Sequence, residues 1–305
     1  MPLLPNEPRL VDAALQQALT DQFLMPLIGS LTALFVGMRQ ALDTELYQLR
    51  PLKQGKPYPL GQCLEISEAV FQHLRVLEPR TLEPDAARGL KTLISFVRQG
   101  GSVRQVWGDL RGEYFQNALL VGTLYVDVAN DTVNPHKPPV EILPFAEARF
   151  VPIRDFHHFS RVAARYWQAR IHPNHLIPSL APYFPLISVT ASGFVQFQSA
   201  SNYMLALTQA GAFYPSEAVL SEGAMTESLF GFMHDRLTSL AVTLAAEPKT
   251  GQAAALAMCV TYREQLMGDD SQRRDKAVRD MVKVNAELAR FKVEVSGESP
   301  AHNIA

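Results

Sequence analysis

The chain has 305 residues, 28 Lys and Arg against 30 Asp and Glu, a formal net charge of −2 and 47% hydrophobic residues. That hydrophobic share excludes a disordered or collagen-like chain, and the balanced charge excludes a protein that works by neutralising nucleic-acid phosphates. Two cysteines cannot build a disulfide framework, so nothing calls for an oxidising compartment and a cytoplasmic location is expected.

The first third has a helical pattern. Leu10, Ala14, Leu15, Ala18 and Leu19 recur at helical spacing, and a second stripe runs through Leu31, Leu34, Phe35, Met38 and Leu42. The most apolar stretch, residues 23–38, is shorter than the roughly 20 residues that cross a bilayer, and Pro26 and Gly29 interrupt it. It is read as a core helix, with an interfacial or partner-binding segment as the alternative, and no membrane span is expected. Asp12 and Asp21 against the single Arg9 do not make the positive start of a signal peptide, and Pro2 stands where a myristoylated glycine would. Residues 50–62 hold three prolines and two glycines, which excludes regular structure there.

Helices are predicted over 63–77, through Ile66, Val70, Leu74 and Leu77, and over 86–98, through Leu90, Leu93, Ile94 and Val97. The period then changes. Residues 115–128 form two apolar runs around Gly122, which predicts a hairpin, and 186–198 form another around Ser192–Gly193. Short strands are predicted at 140–143 and 149–153, with a helix over 159–170 between the strand regions. From Tyr203 onward the pattern is helical again. This order defines an α+β protein, helix-rich, with a small antiparallel sheet mid-chain and a helical C-terminal third. The expected organisation is an α+β domain over 1–200, helical to about residue 100, then a helical extension over 201–295 and a flexible tail over 296–305.

The last predicted helix, 273–295, spaces Ala277, Met281, Val284, Leu288, Phe291 and Val295 by four and three, as coiled-coil seams do. Packing on its own domain is one use for such a face. Docking to a protein partner, or a homodimer through residues 273–295, is the other.

Motifs for phosphate loops, dinucleotide binding, zincins, serine hydrolases and CxxC redox chemistry are absent from the sequence. Cys63 follows the turn Tyr58-Pro59-Leu60-Gly61-Gln62 and opens a helix, where unpaired N–H groups and the helix dipole favour thiolate. The alternative is a core cysteine on the face of Ile66 and Val70. Cys259, inside a run of alanines, reads as core. A Gly/Gln-flanked cysteine opening a helix, followed by an antiparallel hairpin that carries Asp127, resembles the papain-like and transglutaminase-like cysteine superfamily. The resemblance covers residues 57–133. It implies thiol-based acyl transfer or amide hydrolysis on a protein or peptide, with Cys63 as nucleophile and Asp127 orienting a base. On the strand before Asp127, where that family carries its histidine, the chain reads Glu113-Tyr114-Phe115-Gln116-Asn117-Ala118. The base would then come from His136, His157 or His158, or the site is degenerate. Gln116 and Asn117 would contact the acyl oxygen.

Two further groups are candidates. Asp155, His157, His158, His172 and His175 supply ligand types for an iron or zinc site, which would make a metal-dependent oxygenase a third function. Adjacent histidines diverge, however, and Pro173 makes a turn, so hydrogen-bonded loop histidines are the plainer reading and no cofactor is implied. Asp109, Arg111 and Glu113 alternate ahead of the hairpin. They suit either a substrate grip through Arg111 or a salt-bridged surface turn. The alternative to an enzyme is a non-catalytic adaptor that binds a partner through its last helix.

Overall fold

The computed structural model describes residues 2–53, 55–198, 201–265 and 271–293, and the protein is α+β. The chain divides into two compact units, Met1–Pro152 and Ile153–Ala305. This differs from the boundary expected at residue 200. Strands β8 (Ala169–Pro173), β9 (Leu186–Thr190) and β10 (Val195–Phe197) pair with one another in an antiparallel sheet of order β10-β9-β8 within the second unit. The expected tail, 296–305, lies outside the described residues.

The first unit begins with an unbroken helical run, Ala13–Leu49: α1 (Ala13–Leu19), a π turn, a 3-10 turn at Met25–Leu27 and α2 (Ile28–Leu49). Pro26 sits in the first turn of the 3-10 segment, where its missing N–H breaks no helical bond, so the run continues through it. By length and composition this run could cross a membrane, which corrects the sequence estimate of a shorter segment. Leu24, Leu31, Leu34, Phe35 and Met38 are nevertheless buried in the unit's own core. A small hairpin, β1 (Leu52–Lys53) with β2 (Lys56–Pro57), lies in the segment expected to be irregular. Helices α3 (Cys63–Leu74) and α4 (Pro84–Arg98) follow. α4 packs closely on α2 because Gly89 has no side chain: a Cβ there would lie 2.2 Å from the Ser30 carbonyl oxygen.

A five-stranded antiparallel sheet completes the unit. Its strands are β3 (Val103–Leu110), β4 (Tyr114–Val121), β5 (Leu124–Asp127), β6 (Glu141–Pro144) and β7 (Phe150–Val151), in the order β6-β5-β4-β3-β7, with the short helix α5 (Phe145–Ala148) joining β6 to β7. The β4–β5 hairpin turns at Gly122, whose φ of +59° is costly for any residue with a Cβ. Register divides the sheet by face. Leu119 pairs with Val126 and Val121 with Leu124, and these side chains pack with α2, α3 and α4 in one core. Gln116, Ala118 and Leu120 alternate onto the opposite face, where Tyr125 stands across from Leu120 and Asp127 lies two residues beyond it. On that face the Tyr125 ring packs against Phe150 at 5.2 Å.

In the second unit, α6 (Phe156–Trp167) precedes the three-stranded sheet. It is followed by α7 (Asn202–Ala210), α8 (Tyr214–Leu220), α9 (Glu227–Leu237), α10 (Pro248–Glu264) and α11 (Ser271–Leu288). The seam of α11 is internal: Ala277, Met281, Val284 and Leu288 are buried in the unit's core with Phe197, Phe213 and Tyr262. Asn285 adds a polar tie. Its amide accepts from the Phe197 N–H at 2.8 Å and donates to the Phe197 carbonyl at 3.1 Å, covering strand β10 at the edge of its sheet. Of the two uses read from the sequence, packing on its own unit is the one these four side chains serve. Phe291 lies near Arg236, 5.3 Å from guanidinium to ring, and Val295 is outside the described residues.

Candidate functional site

Cys63 is the first residue of α3, as expected, and faces the sheet. Its Sγ lies 3.4 Å from the Asn117 amide nitrogen, and one turn further along α3 the Ser67 hydroxyl donates to the Asn117 carbonyl at 2.9 Å. Burial pushes the pKa of the Cys63 thiol above the ordinary value, the Asn117 amide lowers it and the Asp127 charge raises it further. The residue as a whole is half-buried, and the crowding around its sulfur disfavours the charged thiolate. Cys63 packs against the core of helices α2 to α4, and Cys259 is fully buried with its pKa pushed up to about 12 by burial.

Asp127 stands on the opposite face of the sheet from the Cys63 thiol. Asn117 is on the helix-covered face of β4, while Gln116 and Asp127 are on the other. Asp127 is completely buried and accepts three hydrogen bonds, from Gln116 Nε2 at 2.7 Å, the Tyr125 hydroxyl at 2.9 Å and the Ala129 N–H at 2.8 Å. Burial raises its pKa to about 6 even though all three donors act to lower it. Gln116 also donates to the Ala129 carbonyl at 3.2 Å, and its own amide oxygen is buried without a hydrogen bond. The pair is therefore a tie between β4 and the chain leaving β5, made of neutral donors around one carboxylate.

The other expected residues are dispersed. Arg111 has a φ of +63° in the β3–β4 turn and pairs with Glu141 of β6 at 2.9 Å. Asp109 accepts from the Gly112 N–H at 2.8 Å within the same turn. His136 is exposed in the loop after β5, where its N–H donates to Asn134. His157 is in the second unit, its Nδ1 3.2 Å from Glu222. Asp155 caps α6 by accepting from the His158 N–H, and the His158 ring accepts from the Arg154 N–H at 3.3 Å. His172 is held below its ordinary pKa by burial and then by Arg170. His175 is fully buried, with Nε2 2.9 Å from the Leu220 carbonyl and Nδ1 accepting from the Met225 N–H, an arrangement that fixes a neutral ring. Among the described residues no group of three His, Cys, Asp or Glu side chains could hold a metal.

The structure also assembles a group that the motif search missed. Arg39, on the apolar face of α2, is only 1% exposed and is surrounded by acceptors. Its Nε donates to Asp43 at 2.6 Å, and its Nη atoms donate to the Val128 carbonyl at 2.9 Å and to both oxygens of Asp131, at 2.9 and 3.0 Å. Burial alone would lower its pKa; Asp131 and Asp43 reverse this and hold it above the ordinary value. The Tyr58 hydroxyl donates to Asp43. With Thr44, Tyr47 and Pro59 these groups line an open depression of about 390 Å³. The sequence did carry a signal. Arg39 is the first charged residue after Asp21 and interrupts an apolar stripe, with Asp43 one turn on. A charge on a core face needs partners.

Comparison with protein-family models, with curated proteins and with solved structures gave no match to this chain.

Proposed function

We propose that the protein binds a protein or peptide partner as a non-catalytic scaffold, with Cys63 as a packing residue. The observation that carries this is Asn117. It places a carboxamide 3.4 Å from the thiol, and a carboxamide cannot take a proton from a thiol near neutral pH. Two features add support: Asp127 faces away from the thiol, and burial raises the thiol's pKa. A second reading, thiol-based acyl transfer or amide hydrolysis, is favoured by one observation: Cys63 opens α3 beside an amide donor suited to an acyl oxygen.

Alkylation of Cys63 against pH, in the full chain with Cys259→Ser, separates the two. Partner binding without chemistry predicts slow alkylation at neutral pH, with a midpoint at or above the ordinary thiol value, since Cys63 is half-buried and its thiol is not activated. Rapid reaction with a midpoint well below the ordinary thiol value of about 8.5 would establish an activated nucleophile and overturn the proposal.

A further inference from the structure

We infer that Phe194, Phe232, Arg236, Phe291 and Lys292 form a docking surface for an acidic segment of a protein partner. This rests on the partner-binding proposal and adds where the partner engages and by what chemistry.

The surface is assembled within the second unit from three pieces of chain. Phe232 and Arg236 are one helical turn apart near the end of α9, and Phe291 and Lys292 follow α11. The chain then meets the β9–β10 turn, where the Val293 N–H donates to the Gly193 carbonyl at 2.8 Å and a Cβ on Gly193 would lie 2.2 Å from the Val293 carbonyl oxygen. That contact brings Lys292 over the Phe194 ring, with Nζ 4.5 Å from its centre. On the other side the Arg236 guanidinium lies 3.6 Å above the Phe232 ring and 5.3 Å from that of Phe291. Cations and rings thus follow one another along a single strip.

The charges of this strip are unmatched. Among the described residues no carboxylate lies within ion-pair reach of Arg236 or Lys292. Glu287 is taken by Arg290 at 3.0 Å, and Asp235 stands beside His234 at 3.8 Å. Arg39 and Arg263, by contrast, are each held by a carboxylate. The hydrogen bonding of Arg236 is unfinished as well. Its Nη1 donates to the Phe232 carbonyl at 2.9 Å, Nε is enclosed without an acceptor, and Nη2 neither donates nor is enclosed. Nε and Nη2 share the edge of the fork that a carboxylate takes with two parallel bonds. A carboxylate reaching Nη2 therefore also brings an acceptor toward Nε. Stacking on Phe232 fixes the plane of that fork beforehand, which spares part of the ordering cost of binding.

The occupant follows from charge and from the rings. Two cations without counter-ions attract an anion. They are few for a polyphosphate, whose binding grows with the number of phosphates neutralised, and the whole chain carries a net charge of −2. Phe194 is 41% exposed, and Phe232 and Phe291 are half-buried, so apolar surface flanks both cations. A carboxylate borne on a polypeptide covers such surface with its neighbouring side chains, and an isolated anion does not.

The test uses the full chain with isotope-labelled arginine and follows the Arg236 Nε–H resonance by NMR, assigned by its loss in Arg236→Lys. Four probes are titrated: a short acetylated peptide amide of alternating leucine and glutamate, the same peptide with glutamine for glutamate, inorganic phosphate, and a single-stranded oligothymidylate. The glutamate peptide is expected to shift the resonance saturably, with a Kd on the order of 1 mM that weakens as salt is raised. Lys292→Glu, at an exposed position, should weaken it by about three- to tenfold. Phe194→Ser should weaken it by about two- to fivefold, read at the same resonance. No saturable shift, equal binding of the glutamine peptide, or binding unchanged by Lys292→Glu overturns the surface. Tighter binding of phosphate or of the oligonucleotide than of the glutamate peptide overturns the protein partner in favour of a phosphate-bearing ligand. None of these results depends on Cys63, whose alkylation separately decides the non-catalytic proposal.

Discussion

Asp127 and Asp131 stand close together where the chain leaves β5, and the protein satisfies them by opposite means. Asp131 meets a buried guanidinium in a two-pronged ion pair, so its charge is matched by an opposite charge held in place by α2. Asp127 meets a carboxamide, a phenol and a backbone N–H, all neutral, and is more deeply buried. The difference teaches what hydrogen bonds alone can do for a carboxylate. Three good donors do not prevent burial from raising its pKa to about 6, because dipoles replace the hydration of a charge without cancelling it. Asp131 ties helix to strand end through an ion pair, and Asp127 is sensitive to pH near 6.

Breaking the ion-paired side should have the largest effect. Arg39→Ala leaves Asp131 and Asp43 without their cation and is expected to cost about 3–5 kcal/mol, read as a lower urea midpoint for the first unit. A loss below about 1 kcal/mol would show that the guanidinium does not anchor α2 to the strand ends. Asp127→Asn sharpens the neutral side. The folded pKa of Asp127, about 6, lies above the ordinary 3.8. The folded state thus holds the proton more tightly, and the favourable contribution present at acid pH is lost as pH rises through about 6. Wild type should therefore fall relative to Asp127→Asn by up to roughly 3 kcal/mol across that window. Unfolding of both proteins measured at intervals from acid to neutral pH checks this. A flat difference would mean that Asp127 is not desolvated. The smallest effect is expected at the other face of β4. Cys63→Ser keeps the size of the group and its contact with Asn117, so a change of about 1 kcal/mol or less in the same urea assay is expected. A large loss there would mean that the sulfur is as important to the core as the ion pair.

Some of this was legible along the chain. The stripes of α2, α3 and α4 follow helical spacing, and Gly122 marks the hairpin, since these depend on which residues repeat and which positions accept a positive φ. Strand β3 was less legible. Arg104 and Asp109 interrupt its alternation, and the structure uses them for local ties: Arg104 donates to the Glu7 and Arg9 carbonyls, and Asp109 accepts from Gly112. The candidate site was legible only as a set of residue types. Gln116 and Asn117 are neighbours in sequence, and the pleat sends them to opposite faces of the sheet, so the residues gathered around Cys63 on paper are separated by a layer of backbone.

The sequence by itself determined the α+β class, the positions of most helices and the hairpin turn, because periodicity and turn chemistry are properties of short segments. Tertiary structure alone decided the rest. It sent the Cys63 thiol up in pKa, buried the seam of α11 within its own unit, and brought Asp131 and the Val128 carbonyl to Arg39 from far along the chain. Those outcomes depend on which surfaces lose water and which charges meet, and both are set only when distant segments pack.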